Sequence, residues 1–213
     1  MAILAQGVRV SRTSKLDGIM SWSLPAGRSC PGAATASVCK GCYAKTGNYR
    51  FANVKAPREF NMIDWRRDGW VDDMVAFLDN HRYFRWFDSG DMYKPALAWK
   101  IAAVIKLTPW VKHWLPTQSW SIDAFRDPLE FIQTLPNVVV RYSAKHVDQP
   151  IPAKHSSVVI SEGFTGEAFI CGAYQREGKC SGCRACWDSN VAVIAYPAHG
   201  VSMAKHIAGR IAA

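Results

Sequence analysis

"RYFRWFDSGDMYKPALAWKIAAVIKLTPWVKHWLPTQS", Arg82–Ser119, decides the fold. It opens with an aromatic-rich run, Arg82–Phe87, whose composition favours a strand, and it turns at Asp88-Ser89-Gly90-Asp91. Pro95–Leu107 then follows a helical pattern, with Pro95 admissible in the first turn and a stop before Pro109. Val111–Thr117 is the next strand. A strand, a helix and a strand of these lengths form a βαβ unit, which implies parallel pairing.

Outward from this unit the alternation continues. Ile19–Ala26 reads as a short strand, and Pro57–Asn80 suits one or two amphipathic helices broken near Gly69. Ser121–Leu135 is helical in pattern, with Ser121 as a cap and Pro128 as a bend or the true start. Asn137–Ser143 and Ser156–Ser161 are β-branched strands, and Glu167–Cys171 and Val191–Tyr196 are further strand candidates. The fold class expected is α/β, one domain over residues 1–213, with a mostly parallel sheet forming an incomplete, partial TIM-like barrel. In such folds the active face lies at the carboxyl ends of the strands. The expectation is therefore that the cysteines and the loops beginning at Asp88, Pro116, Ser143 and Ser161 share one face.

The chain has seven cysteines, an odd count, and no secretory signal: Ala2–Ala5 is the only apolar run before basic residues. The stretch around Leu97–Leu107 is broken by Lys100 and Lys106 and is too short to span a bilayer. A reducing, cytoplasmic setting without membrane contact is expected. There a cysteine cluster points to metal or redox chemistry before disulfides. The net charge of +9 makes nucleic acid a conceivable partner, although the basic residues are scattered. No Ser-His-Asp order, P-loop or G-x-G-x-x-G fingerprint is present.

The cysteines repeat one spacing. Cys30-x8-Cys39-x2-Cys42 recurs as Cys171-x8-Cys180-x2-Cys183, with Cys186 completing a C-x2-C-x2-C run. All seven are candidate metal ligands, because C-x2-C lets the chain turn around a metal and three such sulfurs can wrap an iron-sulfur cluster. Zinc is the rival, drawn to one C-x2-C pair from each arm: Cys39 and Cys42 with Cys180 and Cys183. Four thiolates of the second arm would saturate a 4Fe-4S cluster, while the three of the first would leave one iron open; one cluster shared by both arms is the alternative. His113, His146 and His199 read as hydrogen-bonded or surface imidazoles, and the nine tryptophans as core.

Several of these motifs carry a family resemblance. "CKGCYAKTGNYRF", "RWFDSGD", "WLPTQS", "GKCSGCRACWD" and "IAYPAHG" resemble the phage-encoded iron-sulfur proteins of the gene-product-eighty-eight type, from about Ser21 to His199. The resemblance implies an iron-sulfur cofactor and work in the bacterial host cytoplasm, with no defined reaction. A broader similarity is to radical S-adenosylmethionine enzymes, whose cluster cysteines follow the first barrel strand. It implies a cofactor-binding site at Asp88, Ser89 and Asp91, with Asp88 or Asp91 meeting the cofactor's amino group, although the spacing Cys30-x8-Cys39 departs from that family's C-x3-C. Three functions are therefore carried forward: a cluster protein of redox, sensing or structural type; a radical enzyme using an open cluster iron and S-adenosylmethionine; and a zinc-stabilised module that binds nucleic acid.

Overall fold

The structure, a computed structural model, describes residues 2–5 and 7–211. It begins with an antiparallel hairpin, β1 (Ala2–Ala5) and β2 (Val8–Arg12), which runs antiparallel against β3 (Met20–Trp22). Helices α1 (Ala52–Asp64) and α2 (Trp70–Leu78) lead to β4 (Tyr83–Trp86), and α3 (Pro95–Leu107) leads to β5 (Lys112–Thr117). Then come α4 (Arg126–Thr134), β6 (Val138–Ser143), β7 (Ser156–Ile160), the two-residue β8 (Phe169–Ile170), β9 (Val193–Pro197) and α5 (Val201–Ile211).

From β3 onward every pairing is parallel, and the sheet order is β1-β2-β3-β4-β5-β6-β7-β9-β8. The fold is thus α/β with a mostly parallel sheet. The barrel expectation is not met as closure: β1 and β8 stand at opposite edges of an open sheet. Strands β3 to β7 are each laid beside the previous one in the same direction. Right-handed crossovers then put the connecting helices on a single face.

The main core records this. Trp22, Phe84, Trp86, Leu115 and Val140 point from the sheet into α1–α4, where they meet Trp70, Leu78, Ile101, Ile105 and Leu129. Trp22 makes edge contacts with Trp70 and Trp86 at centroid distances of 5.4 and 6.2 Å. Buried among them, His113 accepts the Trp86 indole N–H at Nδ1 (3.3 Å), which leaves its Nε2–H for Thr108 Oγ1 (2.9 Å). Burial of the ring pushes its pKa down to about 3. The alternate residues, Tyr83, Arg85, Trp114 and Arg141, face the other way. That second face is closed by the segment Cys180–Trp187 together with Leu16.

Candidate functional site: two cysteine arms

The first arm leaves β3 at its carboxyl end. Ser29 N–H and Oγ–H both bond Pro25 O (3.2 and 2.8 Å), and successive short 3-10 turns at Pro31–Ala34, Ser37–Gly41 and Tyr43–Lys45 carry the chain past Cys30, Cys39 and Cys42. The arm is tied to the ends of the neighbouring strands: Asp91 N–H bonds Ser29 O (3.1 Å), Tyr43 O–H bonds Asp88 O (2.7 Å), and Val38 N–H bonds Lys145 O (3.0 Å). Gly41 packs so close to α5 that a Cβ there would stand 2.9 Å from Met203 Cα.

Two thiols of this arm, Cys30 and Cys39, are shifted. Burial first, then the neighbouring thiols Cys42 and Cys30, pushes the Cys39 thiol up to about 12. Cys30 rises to about 11, chiefly by burial, with Asp91 and Cys42 adding to it against a bond from Gly27 N–H. Cys30 and Cys39, so held, are neutral and poor nucleophiles.

Asp88, Ser89 and Asp91 fall beside this arm, and the structure gives them different work. Asp88 is buried and accepts Arg58 Nη2–H at both carboxylate oxygens (3.0 Å each), with Ser23 Oγ–H on Oδ1. Ser89 Oγ accepts Arg58 Nε–H (2.6 Å) and donates to Leu24 O (2.9 Å). Both side chains are thereby committed to the fold. Asp91 is also buried but meets no cation in an ion pair among the described residues; it accepts N–H bonds from Met92 and Gln118 (2.7 Å each) and the hydroxyl of Thr117 (2.9 Å). Burial raises it to about 6 despite those donors. The tight geometry of the turn is set by Phe87, a bulky residue held at φ 56°, and by Gly90 at φ 74°.

The second arm starts as expected, with Cys171 at the carboxyl end of β8, but Cys180 and Cys183 go elsewhere. The whole arm was expected on the carboxyl-end face with the first, but Cys180 N–H bonds Lys15 O (2.8 Å), in the turn that precedes β3. Asp17 of the same turn accepts Ser181 N–H, Gly182 N–H and the Arg184 guanidinium (3.1, 2.9 and 2.8 Å). Trp187 drives into the helix-free face: its indole N–H reaches Phe84 O (2.9 Å) and its ring meets Trp114 at 5.1 Å. Burial of these rings outweighs any preference of a loop for the strand ends. The arm therefore spans the sheet to its amino-terminal side, where Cys183 lines a cavity of about 420 Å³ with Tyr83 and Lys112.

Within this arm the thiols again couple. Cys171 and Cys183 help burial raise Cys180, and Cys171 acts likewise on Cys186, which burial brings to about 11. Tyr196 O–H stands 3.3 Å from Cys186 Sγ. Arg141, fully buried, donates to the carbonyls of Ala185, Cys186, Asp188 and Val191 at 2.9–3.0 Å. Arg85, on the same face, lies in the field of both Asp88 and Tyr196 and so stands between the arms.

All seven cysteines are free thiols. The two C-x2-C pairs expected around zinc lie apart, Cys39 packing against Val38 and Met203 while Cys180 and Cys183 pack with Leu16 and Trp187. Among the described residues no three His, Cys, Asp or Glu side chains converge closely enough to hold a single metal ion. Reasoning from sequence missed Arg58, Arg85, Arg141 and Tyr196. A charge inside β-branched "NVVVRYS" was the available signal for Arg141, since arginine is rarely buried without partners.

A family model described as gene product 88 matches residues 4–189, and the chain belongs to that family. No curated protein and no solved structure matches it. No helix among the described residues is long and apolar enough to cross a membrane.

Proposed function

We propose that this member of the gene product 88 family is a phage-encoded iron-sulfur protein working in the host cytoplasm, with an electron-carrying or sensing role. The observation that carries the reading is the separation of the free cysteines into an arm of three and an arm of four, with neighbouring thiols of the same arm raising Cys39 in the first and Cys180 in the second. Cys171, Cys180, Cys183 and Cys186 would hold a four-iron cluster, and the donor set fits it: thiolate charge there would fall beside Arg141 and Arg85. When bound, the cluster supplies one-electron redox chemistry. The chain's own residues tune it: Tyr196 O–H beside the Cys186 sulfur favours the reduced form, Trp187 keeps water out, and Arg141 locks the loop that presents Cys186. The singly wound sheet is read as an incomplete barrel whose inner face the second arm fills.

The first arm favours a second reading on its own observation. Three thiols at the carboxyl end of β3, next to a buried carboxylate that forms no ion pair among the described residues, suit a cluster with one open iron and Asp91 facing a cofactor amine, such as that of S-adenosylmethionine. Asp88 and Ser89 support the turn instead.

Anaerobic purification with iron, acid-labile sulfide and zinc assays tests the proposal. Iron with matching sulfide is expected, with Cys183→Ser and Cys39→Ser each removing a separate share. Stoichiometric zinc without sulfide would overturn it and leave the nucleic-acid module, recognised by salt-sensitive binding. Titrating S-adenosylmethionine into the Cys183→Ser variant, while recording the paramagnetic spectrum of the iron that remains, decides the second reading, which fails if that spectrum does not change.

A further inference from the structure

A cleft of about 330 Å³ opens between the first cysteine arm and the start of α1, on the outside of the Arg58–Asp88 pair. Pro25, Ala26, Ala44 and Tyr49 are among the residues that line it. Around them stand five cations, Arg28, Lys45, Arg50, Lys55 and Arg58, against a single acid, Glu59. Glu59 is taken by Arg28 (2.6 Å) and Arg58 by Asp88. Lys45, Arg50 and Lys55 are exposed and form no ion pair among the described residues.

Three unneutralised cations around one concavity repel each other, an arrangement that an anion relieves. The start of α1 adds to the positive field, because its first turn holds no acidic residue and no side chain caps it. We infer that this cleft binds a small molecule bearing a phosphate or comparable dianionic oxyanion group, gripped by Lys45, Arg50 and Lys55. The apolar lining residues Pro25, Ala26 and Ala44 and the Tyr49 ring take the rest of the ligand. The size of the cleft suits a small ligand, whereas a nucleic-acid strand would require cations continuing along the surface.

The place of the cleft gives it meaning. Ala26 and Arg28 lie just before Cys30, and Ala44 and Lys45 just after Cys42, so the segments that line it also carry two of the three thiols. An anion bound there stiffens the first arm from outside. The inference rests on the arm's geometry and not on what the thiols hold.

Isothermal titration of inorganic pyrophosphate and of ADP into the full chain, at low ionic strength, tests it. Saturable one-site binding is expected, weakened at least about tenfold in the Arg50→Gln/Lys55→Gln double variant, since both substitutions delete a charge-assisted hydrogen bond to the anion. Lys106→Gln/Lys154→Gln, which removes two exposed lysines elsewhere, should bind as the parent does. No saturable binding, equal weakening in both double variants, or binding of single-stranded DNA with none of either small probe would overturn the inference. The titration is repeated after chelation of any metal: retained affinity upholds the cleft whatever the iron assay finds, and affinity that disappears with the metal assigns the anion to the metal and refutes it.

Discussion

Replacing Arg58 with methionine removes the guanidinium paired with Asp88 while keeping a stem of similar length in place. The pair is buried on both sides, with side chains 8% and 9% exposed, and Arg58 Nη2 reaches both carboxylate oxygens at 3.0 Å. Arg58 also donates to Ser89 Oγ and Val54 O, at 2.6 Å each. Removing one partner of a buried, hydrogen-bonded pair costs about 3–5 kcal/mol, because a carboxylate is left without its counter-charge in a poorly hydrated place. For a chain of this size that is a fall in Tm of about 6–20 °C. Urea unfolding followed by circular dichroism should show the midpoint falling with an unchanged slope. Adding Asp88→Asn to Arg58→Met should recover a good part of the loss, since the uncompensated charge goes, and the double-mutant cycle should return a coupling above about 1 kcal/mol. A loss under about 1 kcal/mol for Arg58→Met, the range of an exposed ion pair, would refute the argument. Asp88 would then not be committed to the fold and would return as a ligand-binding residue.

Three further outcomes are expected. His113 takes up its proton near pH 3 when folded and near 6.5 when unfolded, so its contribution is full above about pH 6.5 and is lost as the pH falls; at pH 5 the loss is about 2 kcal/mol, and His113→Asn should flatten that part of the urea-midpoint profile against the parent. Gly90→Ala should cost about 3 kcal/mol or more in thermal unfolding, from the left-handed backbone and from a Cβ placed 2.5 Å from Ser29 Oγ and 2.6 Å from Leu24 Cβ. Arg141→Leu should leave the carbonyls of Ala185–Val191 without their donor, cost at least about 3 kcal/mol, and expose that loop to limited proteolysis before global unfolding.

The parallel sheet was legible because its strands are short β-branched or aromatic runs between strong turn signals, as in "NVVVRYS" and "SSVVIS", and because Pro95 and Pro128 mark the first turns of α3 and α4. The break near Gly69 does separate α1 from α2. The hairpin of β1 and β2 was not legible: "VRVSR" alternates over only five residues, too few to stand out. Helix α5 was likewise unassigned. The first arm's position followed from the βαβ rule, since it directly continues β3. The second arm's position could not follow from any local rule. It is decided by Asp17 bonding Gly182, 165 residues away, and by Trp187 finding Trp114, and such pairings leave no periodic trace in the chain.

The packing of α5 on the first arm has a consequence in time. Cys30, Cys39 and Cys42 emerge well before Met203, which closes against Gly41 and Cys39 and lies about 160 residues after Cys42. At bacterial translation speeds that interval is about ten to thirty seconds. Throughout it the early thiols lack the cover of α5, so the newborn chain exposes its first arm until that helix docks.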